Sequence, residues 1–199
     1  MKNRCLWLKL SNKLYVDYHD SEWGRPVHDD QLLFEMLILE GAQAGLSWET
    51  VLNKREHYKK VFLDFDIVKV SKMSQKKVEK LLQDPGIIRN RLKVESTISN
   101  AKIFLQIQKE YGSFDKYLWA FVKNKPIINH FESLKDYPSR TDISDIISKD
   151  MKKKGLRFVG STIVYAYMQA TGMVQDHGVD CYLYQKKFRT RRANLVSKK

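Results

Sequence analysis

One carboxylate stands in an unexpected place in this chain. In the stretch FEMLILE, residues 34–40, Glu40 directly follows a run of apolar residues. If the stretch is helical, Glu40 faces the interior or a cleft, where a carboxylate can accept hydrogen bonds from the N–H groups of a ligand. The alternative is a core residue that merely tolerates burial.

Four residues near the two ends of the chain are candidate metal ligands. Cys5 and His19 lie near the start, and His177 and Cys181 lie near the end with three residues between them. That spacing brings the second pair to one face of a helical turn or across a tight loop, and two cysteines with two histidines are typical of a closed zinc site. The sequence predicts one structural Zn²⁺ that joins the two ends, with simple burial of the cysteines as the alternative.

Aromatic residues are concentrated in the first part of the chain. They are Trp7, Tyr15, Tyr18, Trp23 and Trp48. A metal site at His19 would hold the two flanking tyrosines near Trp7 as a rigid wall, on which a planar base can stack. With Glu40 beside that wall, the arrangement is a pocket for a flat, electron-poor heterocycle. Aromatic residues usually fill cores, and that is the competing interpretation.

A basic stretch, LLQDPGIIRNRLK at residues 81–93, is typical of a helix-hairpin-helix. One helix ends before the turn at Gly86, and another begins after it. The exposed N–H groups there, together with Arg89, Arg91 and Lys93, would bind a DNA phosphate without reading bases. An ordinary helical hairpin with a basic face is the alternative, because the pattern has only one glycine.

The elements that must position these residues are predicted to be helices. The chain has 199 residues, of which 43% are hydrophobic, and apolar residues follow the helical period almost throughout. Asp29 or Asp30 can cap a helix that ends at Gly41, and Ser47 can cap one that continues to Phe62. Further helices are predicted at residues 74–84, 89–111, 113–122, 142–154 and 161–171, with stops at Gly112, Gly155 and Gly172. Ile127 and Ile128 are too short a run to require a sheet, so the predicted class is all-α.

The charge of the chain points to a polyanionic partner. Lys and Arg number 36 against 23 Asp and Glu, a net charge of +13, which favours nucleic acid over a merely soluble basic surface. We expect one domain at residues 1–184, followed at 185–199 by a basic tail that is mobile or contacts DNA. The sequence has neither a signal-peptide core nor a membrane-length apolar run. A cytoplasmic location is therefore expected, and we expect a monomer that does not bind membranes.

Five blocks of sequence stand in one order between Cys5 and Cys181. They are LYVDYHDSEWG, FEMLILEGAQAGLSWETVLNKRE, DPGIIRNRLK, FVGSTIVYAYMQATGMVQDH and the terminal Cys and His residues. Together these blocks resemble the 3-methyladenine DNA glycosylase I family. The tail after Tyr184 lies outside the similarity.

The resemblance implies a two-lobed helical fold of the helix-hairpin-helix glycosylase superfamily, a structural zinc, and hydrolysis of N3-methyladenine from double-stranded DNA. It implies zinc ligands at Cys5, His19, His177 and Cys181. It implies a base pocket formed by Glu40, Tyr15, Tyr18 and Trp48, with Trp7 and Trp23 beside it.

The wider superfamily usually places a catalytic Asp in the helix after the hairpin, and bifunctional members add a nucleophilic Lys. This chain has no Asp between Asp84 and Asp115. A carboxylate-stabilised attack and a Schiff-base lyase step are therefore not expected. The glycosylase I family also lacks this Asp. Its absence from the chain therefore favours a monofunctional member of that family.

Methylation at N3 makes adenine a good leaving group, because the base is already cationic while bonded to the sugar. The enzyme must flip the nucleotide out of the helix and accept the base between aromatic faces. Glu40 is assigned to base recognition, with electrostatic help to departure as a secondary catalytic role and water as the nucleophile. The loop after Glu40 is a candidate to push Gln43 or Leu46 into the duplex, with a simple interhelical turn as the alternative.

Two other functions compete with this interpretation. A non-enzymatic, zinc-stapled DNA-binding module explains the charge and the four ligands, but it does not explain a carboxylate among aromatic residues. A glycosylase for other alkylated purines, such as 7-methylguanine, is opposed by the family resemblance alone.

Overall fold

The chain is almost entirely helical in the computed structural model, which describes residues 2–184. Within that range the α-helices are α1 Lys13–Ser21, α2 Asp30–Gln43, α3 Trp48–Leu52, α4 Arg55–Val61, α5 Ile67–Ser71, α6 Gln75–Leu82, α7 Arg91–Tyr111, α8 Phe114–Ala120, α9 Asp142–Lys153 and α10 Ser161–Ala170. Two short 3-10 helices, Leu63–Phe65 and Leu134–Asp136, lie between them. The predicted basic tail, 185–199, lies outside the described residues, so its role stays a prediction.

Several helix ends lie where the sequence predicts them. Asp29 caps α2 and Ser47 caps α3, each by accepting a hydrogen bond from the backbone N–H three residues later. The predicted helix stops at Gly112, Gly155 and Gly172 have φ angles of 86°, 97° and 69°. Glycine adopts this left-handed geometry at low cost, which confirms these residues as helix ends.

Other helix boundaries differ from the prediction. α2 does not end at Gly41 but continues to Gln43. A Cβ at Gly41 would lie 3.2 Å from the Cβ of Phe158, so this glycine permits close packing inside a helix instead of forming a turn. The long helix predicted to begin at Ser47 is broken at residues 53–54, so α3 and α4 are separate.

A short pair of strands corrects the prediction of an all-α fold. β1, Ile127–Ile128, pairs in parallel with β2, Val174–Gln175. This pairing joins segments that are distant in sequence, and two-residue runs carry too little local signal to predict it. The fold is therefore mostly helical, with one strand pair that ties the segment before α9 to the segment after α10.

α2 is the central helix of the fold. It contacts α3, α7, α8 and α10, and its residues from Leu33 to Ala42 are all buried. A helix that is apolar on nearly every side is buried on every side. As a consequence α2 carries two carboxylates, Glu35 and Glu40, into the interior.

The two ends of the described chain are held together by backbone hydrogen bonds. The N–H of Tyr182 donates to the carbonyl of Asn3 at 2.9 Å, and the N–H of Val27 donates to the carbonyl of Thr171 at 3.0 Å. Neither contact is local in sequence. They fix the N-terminal segment against the segment that follows α10.

The turn predicted around Gly86 connects α6 and α7, which contact each other. A Cβ at Gly86 would lie 2.2 Å from the ring of His57, so any larger residue would require that ring to move. α7 then continues for 21 residues. Across residues 2–184, no helix is both long enough and apolar enough to cross a membrane.

Candidate active site and metal centre

A cavity of about 380 Å³ opens between α1, α2, α3 and α10. Its volume lies within the range of about 300 to 1,000 Å³ that is usual for ligand pockets. The six residues that the sequence predicts to bind a base all line it: Trp7, Tyr15, Tyr18, Trp23, Glu40 and Trp48. Residues from α1, α2, α3 and the segments on either side of α1 thus meet around one space.

Sequence reasoning missed several residues that also line the cavity. They are Leu134, Tyr137, Pro138, Ala166 and Gln169. The last two lie three residues apart on α10, and this spacing puts them on one face of the helix. That periodicity is a signal that could have found them. The connection between β1 and α9, which supplies the other three, carries no such pattern.

The aromatic residues of the cavity pack against one another in two groups. Ring centroids are 5.7 Å apart for Trp7 and Tyr15, and 4.7 Å apart for Trp7 and Trp23. Tyr18 and Trp48 form the second group, with centroids 5.2 Å apart. These tilted and edge-to-face contacts are favourable for aromatic pairs and hold each ring in place. A planar ligand that enters the cavity therefore meets fixed ring surfaces.

Glu40 brings a carboxylate into the cavity without a protein partner. The residue is 4% exposed, and within residues 2–184 no hydrogen bond or ion pair reaches it. Burial raises the pKa of its carboxyl to about 8, because desolvation disfavours the charged form. Burial also raises the pKa of Tyr15 to about 12, with the charge of Glu40 as a further cause. A buried acceptor of this kind suits a ligand that brings N–H groups.

Glu35, five residues earlier on α2, provides a direct contrast. Its Oε1 accepts a hydrogen bond from Arg55 Nε at 2.6 Å, and the Nη1 of Arg55 also donates to Glu22 at 2.8 Å. Glu35 and Arg55 are both buried, so the carboxylate has the charged partner that burial normally requires. Sequence reasoning missed this pair, because only the fold brings α4 to Glu35.

The indole of Trp48 is a second polar group without a partner in the cavity wall. Its Nε1 is buried and has no acceptor in the part of the chain that the structure describes. An unsatisfied buried donor costs on the order of 1 to 3 kcal/mol. This nitrogen has almost no accessible surface, so its N–H is not open to a ligand in the cavity as it stands. The cavity thus offers an unpartnered acceptor on α2.

The four predicted metal ligands meet at one point. All four are buried, and their candidate ligand atoms lie within 4.8 Å of one another. Sγ of Cys5 and Sγ of Cys181 lie 3.5 and 3.6 Å from His177 Nδ1. Sγ of Cys181 lies 3.7 Å from His19 Nε2. Tetrahedral zinc, with bonds of about 2.3 Å to sulfur and about 2.05 Å to nitrogen, requires S···N separations of about 3.6 Å. The donor set and its spacing therefore fit a zinc ion.

Asp20 and Arg4 orient His19 from outside the ligand set. His19 Nδ1 donates to Asp20 Oδ1 at 2.9 Å, which leaves Nε2 on the side of the cysteines. Arg4 binds both carboxylate oxygens of Asp20, at 2.9 and 2.8 Å, and holds the pKa of Asp20 well below its usual range. Carboxylate–histidine pairs of this kind are typical of zinc sites. Sequence reasoning missed both residues, although Asp20 directly follows the ligand.

The residues predicted to bind phosphate lie around the connection between α6 and α7, and three of them, Gly86, Arg91 and Lys93, already have protein partners. The N–H of Gly86 donates to Asp84 Oδ1 at 2.8 Å. Arg91 donates to both carboxylate oxygens of Glu79, at 2.7 and 2.8 Å, in a solvent-exposed ion pair. Such exposed pairs are weak and can exchange partners. Arg89 is exposed. Their contacts with DNA stay predictions.

Lys93 supports the loop that follows α2. Its Nζ donates to the carbonyls of Ala42 and Ala44 at 2.8 and 2.6 Å, and burial lowers the pKa of the amine. These bonds satisfy carbonyls at the end of α2, where the helix itself provides no donors. Gln43, the last residue of α2, lines the cavity, and Leu46 in the supported loop is 42% exposed. The predicted contact of Lys93 with phosphate stays a prediction.

The family model described as methyladenine glycosylase matches residues 7–184 of this chain. The chain belongs to the methyladenine glycosylase family. The family member DNA-3-methyladenine glycosylase 1 from Escherichia coli is 48% identical over 181 residues, which cover 91% of this chain and 96% of that relative. This membership confirms the family that the sequence motifs indicate.

Solved structures of methyladenine glycosylases have the same fold. A crystal structure of 3-methyladenine DNA glycosylase I aligns with a TM-score of 0.89 at 46% identity, and the alignment covers 92% of this chain and 100% of that one. A variant of 3-methyladenine DNA glycosylase I in complex with 3-methyladenine also aligns with a TM-score of 0.89, at 36% identity over 92% of this chain and 98% of that one.

In this member of the methyladenine glycosylase family, Glu40 should make stability fall as pH rises. The pKa of its carboxyl is about 8 in the folded protein against an ordinary 4.5. The contribution of Glu40 to the free energy of unfolding is therefore fully present below pH 4.5 and is lost as the pH rises from 4.5 to about 8. Glu40→Gln removes this titration. At pH 7 the variant should exceed the parent in free energy of unfolding by on the order of 3 kcal/mol, and at pH 4 by almost nothing.

Urea unfolding of both proteins from pH 4 to pH 8 measures this difference, because all other groups titrate alike in the two proteins. A difference that stays constant over the whole range would show that the pKa of Glu40 is the same in the folded and the unfolded protein.

Proposed function

We propose that this chain hydrolyses the N-glycosidic bond of N3-methyladenine in alkylated double-stranded DNA, releases the free base and leaves an abasic site. The observation that carries the proposal is the buried, unpartnered carboxylate of Glu40 in a cavity walled by aromatic rings. The relative from Escherichia coli is named DNA-3-methyladenine glycosylase 1, and a related variant was solved in complex with 3-methyladenine. Both names support the same substrate.

Recognition of the base depends on stacking and on Glu40. The methylated base is cationic in DNA, so its π-system is electron-poor and stacks well between Tyr18, Trp48 and the rings around Trp7. Glu40 accepts hydrogen bonds from its N–H groups. The positive base and its donors lower the pKa of Glu40 again, so the carboxyl loses its proton when the base enters. This charge pairing distinguishes a methylated base from a neutral one.

Catalysis requires little beyond this recognition. The cationic base leaves readily, and the negative charge of Glu40 stabilises its departure once the nucleotide has been flipped. Water is the nucleophile. We expect no lyase step, because the chain has no Asp between Asp84 and Asp115, the region where the wider superfamily places its catalytic carboxylate.

Extrusion of the nucleotide is assigned to the loop after α2. Leu46 is exposed, Gln43 lines the cavity, and Lys93 holds the backbone between them. An apolar wedge that enters the base stack compensates for the contacts that flipping removes. The connection between α6 and α7 acts as a helix-hairpin-helix and binds the phosphate backbone at Gly86, Arg89 and Arg91.

A structural zinc ion is proposed at Cys5, His19, His177 and Cys181. When bound, it would supply a fixed tetrahedral link between the N-terminal segment and the segment after α10, and no step of the reaction passes through it. Two histidine ligands contact the cavity wall, since the His19 ring lies 5.5 Å from Trp7 and the His177 ring 4.8 Å from Trp23. The metal site and the aromatic wall are therefore one packed unit. A single domain at residues 1–184, a monomeric state and a cytoplasmic location complete the proposal.

Analysis of free bases released from methylated DNA tests the function. The chain should release 3-methyladenine and leave abasic sites without strand cleavage. Release of 7-methylguanine in preference to 3-methyladenine would favour the competing glycosylase activity, and retention of all bases on bound DNA would favour the non-enzymatic DNA-binding module.

Binding to undamaged duplex should depend on the hairpin and decrease steeply with salt. Log affinity falls linearly with log salt concentration. Replacing both Arg89 and Arg91 with Ala is expected to make this slope shallower by about 2, since each lost phosphate contact removes about 0.9. Lys102 and Lys109 on α7 are exposed and lie farther along the same helix, so a double Ala variant at these positions is the matched control.

Fluorescence anisotropy of a labelled undamaged duplex at several salt concentrations measures both slopes. An arginine variant with the same slope as the parent would contradict the assignment of the hairpin to DNA binding. A control variant that loses as much slope as the arginine variant would mean that the whole basic surface contributes.

A further inference from the structure

Gln169 is a polar cavity residue to which the proposed function gives no role. It lies on α10, and its side chain lines the same cavity as Glu40 on α2. Its Nε2 donates to Asp176 Oδ2 at 2.8 Å. Its Oε1 receives no hydrogen bond from residues 2–184. The acceptor end of this amide is therefore available to a ligand.

Asp176 fixes the orientation of that amide. Its carboxylate is fully buried and accepts hydrogen bonds from the hydroxyl of Tyr165 at 2.6 Å and from Asn129 Nδ2 at 2.7 Å. Burial, followed by the charge of Asp176, raises the pKa of Tyr165. The phenol therefore keeps its proton and acts as a hydrogen-bond donor to Asp176. A carboxylate surrounded in this way can only accept. The part of the Gln169 amide that faces Asp176 must therefore be the NH₂ group.

An acceptor in this position distinguishes the two purines. At the same place on the ring, adenine carries an amino group with two N–H donors, whereas guanine carries a carbonyl oxygen. Acceptors on α2 and α10, from Glu40 and Gln169, can together use both donors of the amino group. With guanine, the carbonyl oxygen would face the acceptor oxygens of Glu40 and Gln169, and neither of these two oxygens would gain a hydrogen bond.

We propose that Gln169 is a specificity-determining residue whose Oε1 accepts a hydrogen bond from the amino group of the bound methylated adenine, and that Asp176 is the positioning residue that keeps this oxygen free. The inference rests on the proposed function and adds the group that selects adenine over guanine. It predicts that base selectivity, and not only base affinity, depends on Gln169.

The test compares Gln169→Met with a matched control, Gln108→Met. Methionine keeps the length of the side chain but offers no comparable acceptor. Gln108 on α7 also donates from Nε2 to a carboxylate, that of Asp30 at 2.6 Å, but it does not line the cavity. Tryptophan fluorescence titrations with 3-methyladenine and with 3-methylguanine give the ratio of the two dissociation constants. The parent should bind 3-methyladenine at least about tenfold more tightly than 3-methylguanine. Gln169→Met should reduce this preference about tenfold.

The outcomes separate this inference from the function on which it rests. An unchanged ratio in Gln169→Met, or an equal loss in Gln108→Met, overturns the role of Gln169 and leaves the proposed function intact. Failure of the parent to bind 3-methyladenine at all would remove the proposed function itself. If Gln169→Met does not fold, the same ratio is measured for Asp176→Asn. The asparagine can donate a hydrogen bond, so the Gln169 amide can rotate and exchange the positions of its NH₂ group and its oxygen. An unchanged ratio in Asp176→Asn also overturns the inference.

Discussion

Replacing Glu40 with Gln should reduce single-turnover release of 3-methyladenine by about 10- to 100-fold, the loss expected when hydrogen bonds to a charged group are weakened. Glutamine is nearly isosteric, but it carries no negative charge and offers only one acceptor oxygen. Loss should be partial, because the cationic base leaves readily without much catalytic help. Affinity for free 3-methyladenine should decrease in parallel. Rapid-quench measurement on methylated duplex gives the rate.

Glu35→Gln is the matched control for this variant. Both carboxylates are buried on α2, but Glu35 forms an ion pair with Arg55, whereas Glu40 has no partner in the described residues. Glu35→Gln should therefore lower stability, because it leaves a buried guanidinium without one of its carboxylates. Its rate of excision per folded molecule should match the parent. Equal rates in Glu40→Gln and the parent would mean that Glu40 is structural.

Replacing Cys181 with Ser should release zinc and destabilise the protein by several kcal/mol. Serine is a poor zinc ligand, and a structural zinc site contributes its binding free energy to folding. The N-terminal segment should loosen most, because two of the four ligands lie on it. Base binding should weaken as well, since Trp7 and Trp23 pack against His19 and His177. Elemental analysis and thermal unfolding measure the two effects.

A histidine outside the ligand set serves as the control. His28 lies at the surface and bonds to Asp115, so His28→Ala should keep a full complement of zinc. Protein purified without chelator that contains no zinc would refute the metal site, and so would a Cys181→Ser variant with normal zinc content and unfolding temperature.

Most of the cavity could be predicted from the sequence because its residues lie in short, informative patterns. The apolar run before Glu40 indicates a buried helix, and α2 is buried along most of its length. The aromatic residues cluster around His19, and the fold brings them to one cavity. The four metal ligands stand out because the chain contains only 2 cysteines. Each signal depends on residue type and local spacing.

The remaining features depend on contacts between distant segments. Glu35 and Glu40 lie in the same apolar run, and only the position of α4 gives one of them Arg55 as a partner. Lys93 lies in a basic stretch, and only the fold shows that its amine supports the end of α2. Gln169 becomes informative only when Asp176 is seen beside it. Local sequence does not encode such pairings.

The most direct test of the base-binding cavity is a titration with 3-methyladenine followed by the indole N–H resonances of the protein. The chain has 4 tryptophans, and Trp7, Trp23 and Trp48 line the cavity. Trp119 donates its indole N–H to the carbonyl of Val27 away from the cavity and serves as an internal control. We expect saturable shifts of the three cavity resonances and no shift of Trp119. Cavity resonances that stay unchanged up to saturating base would contradict the account.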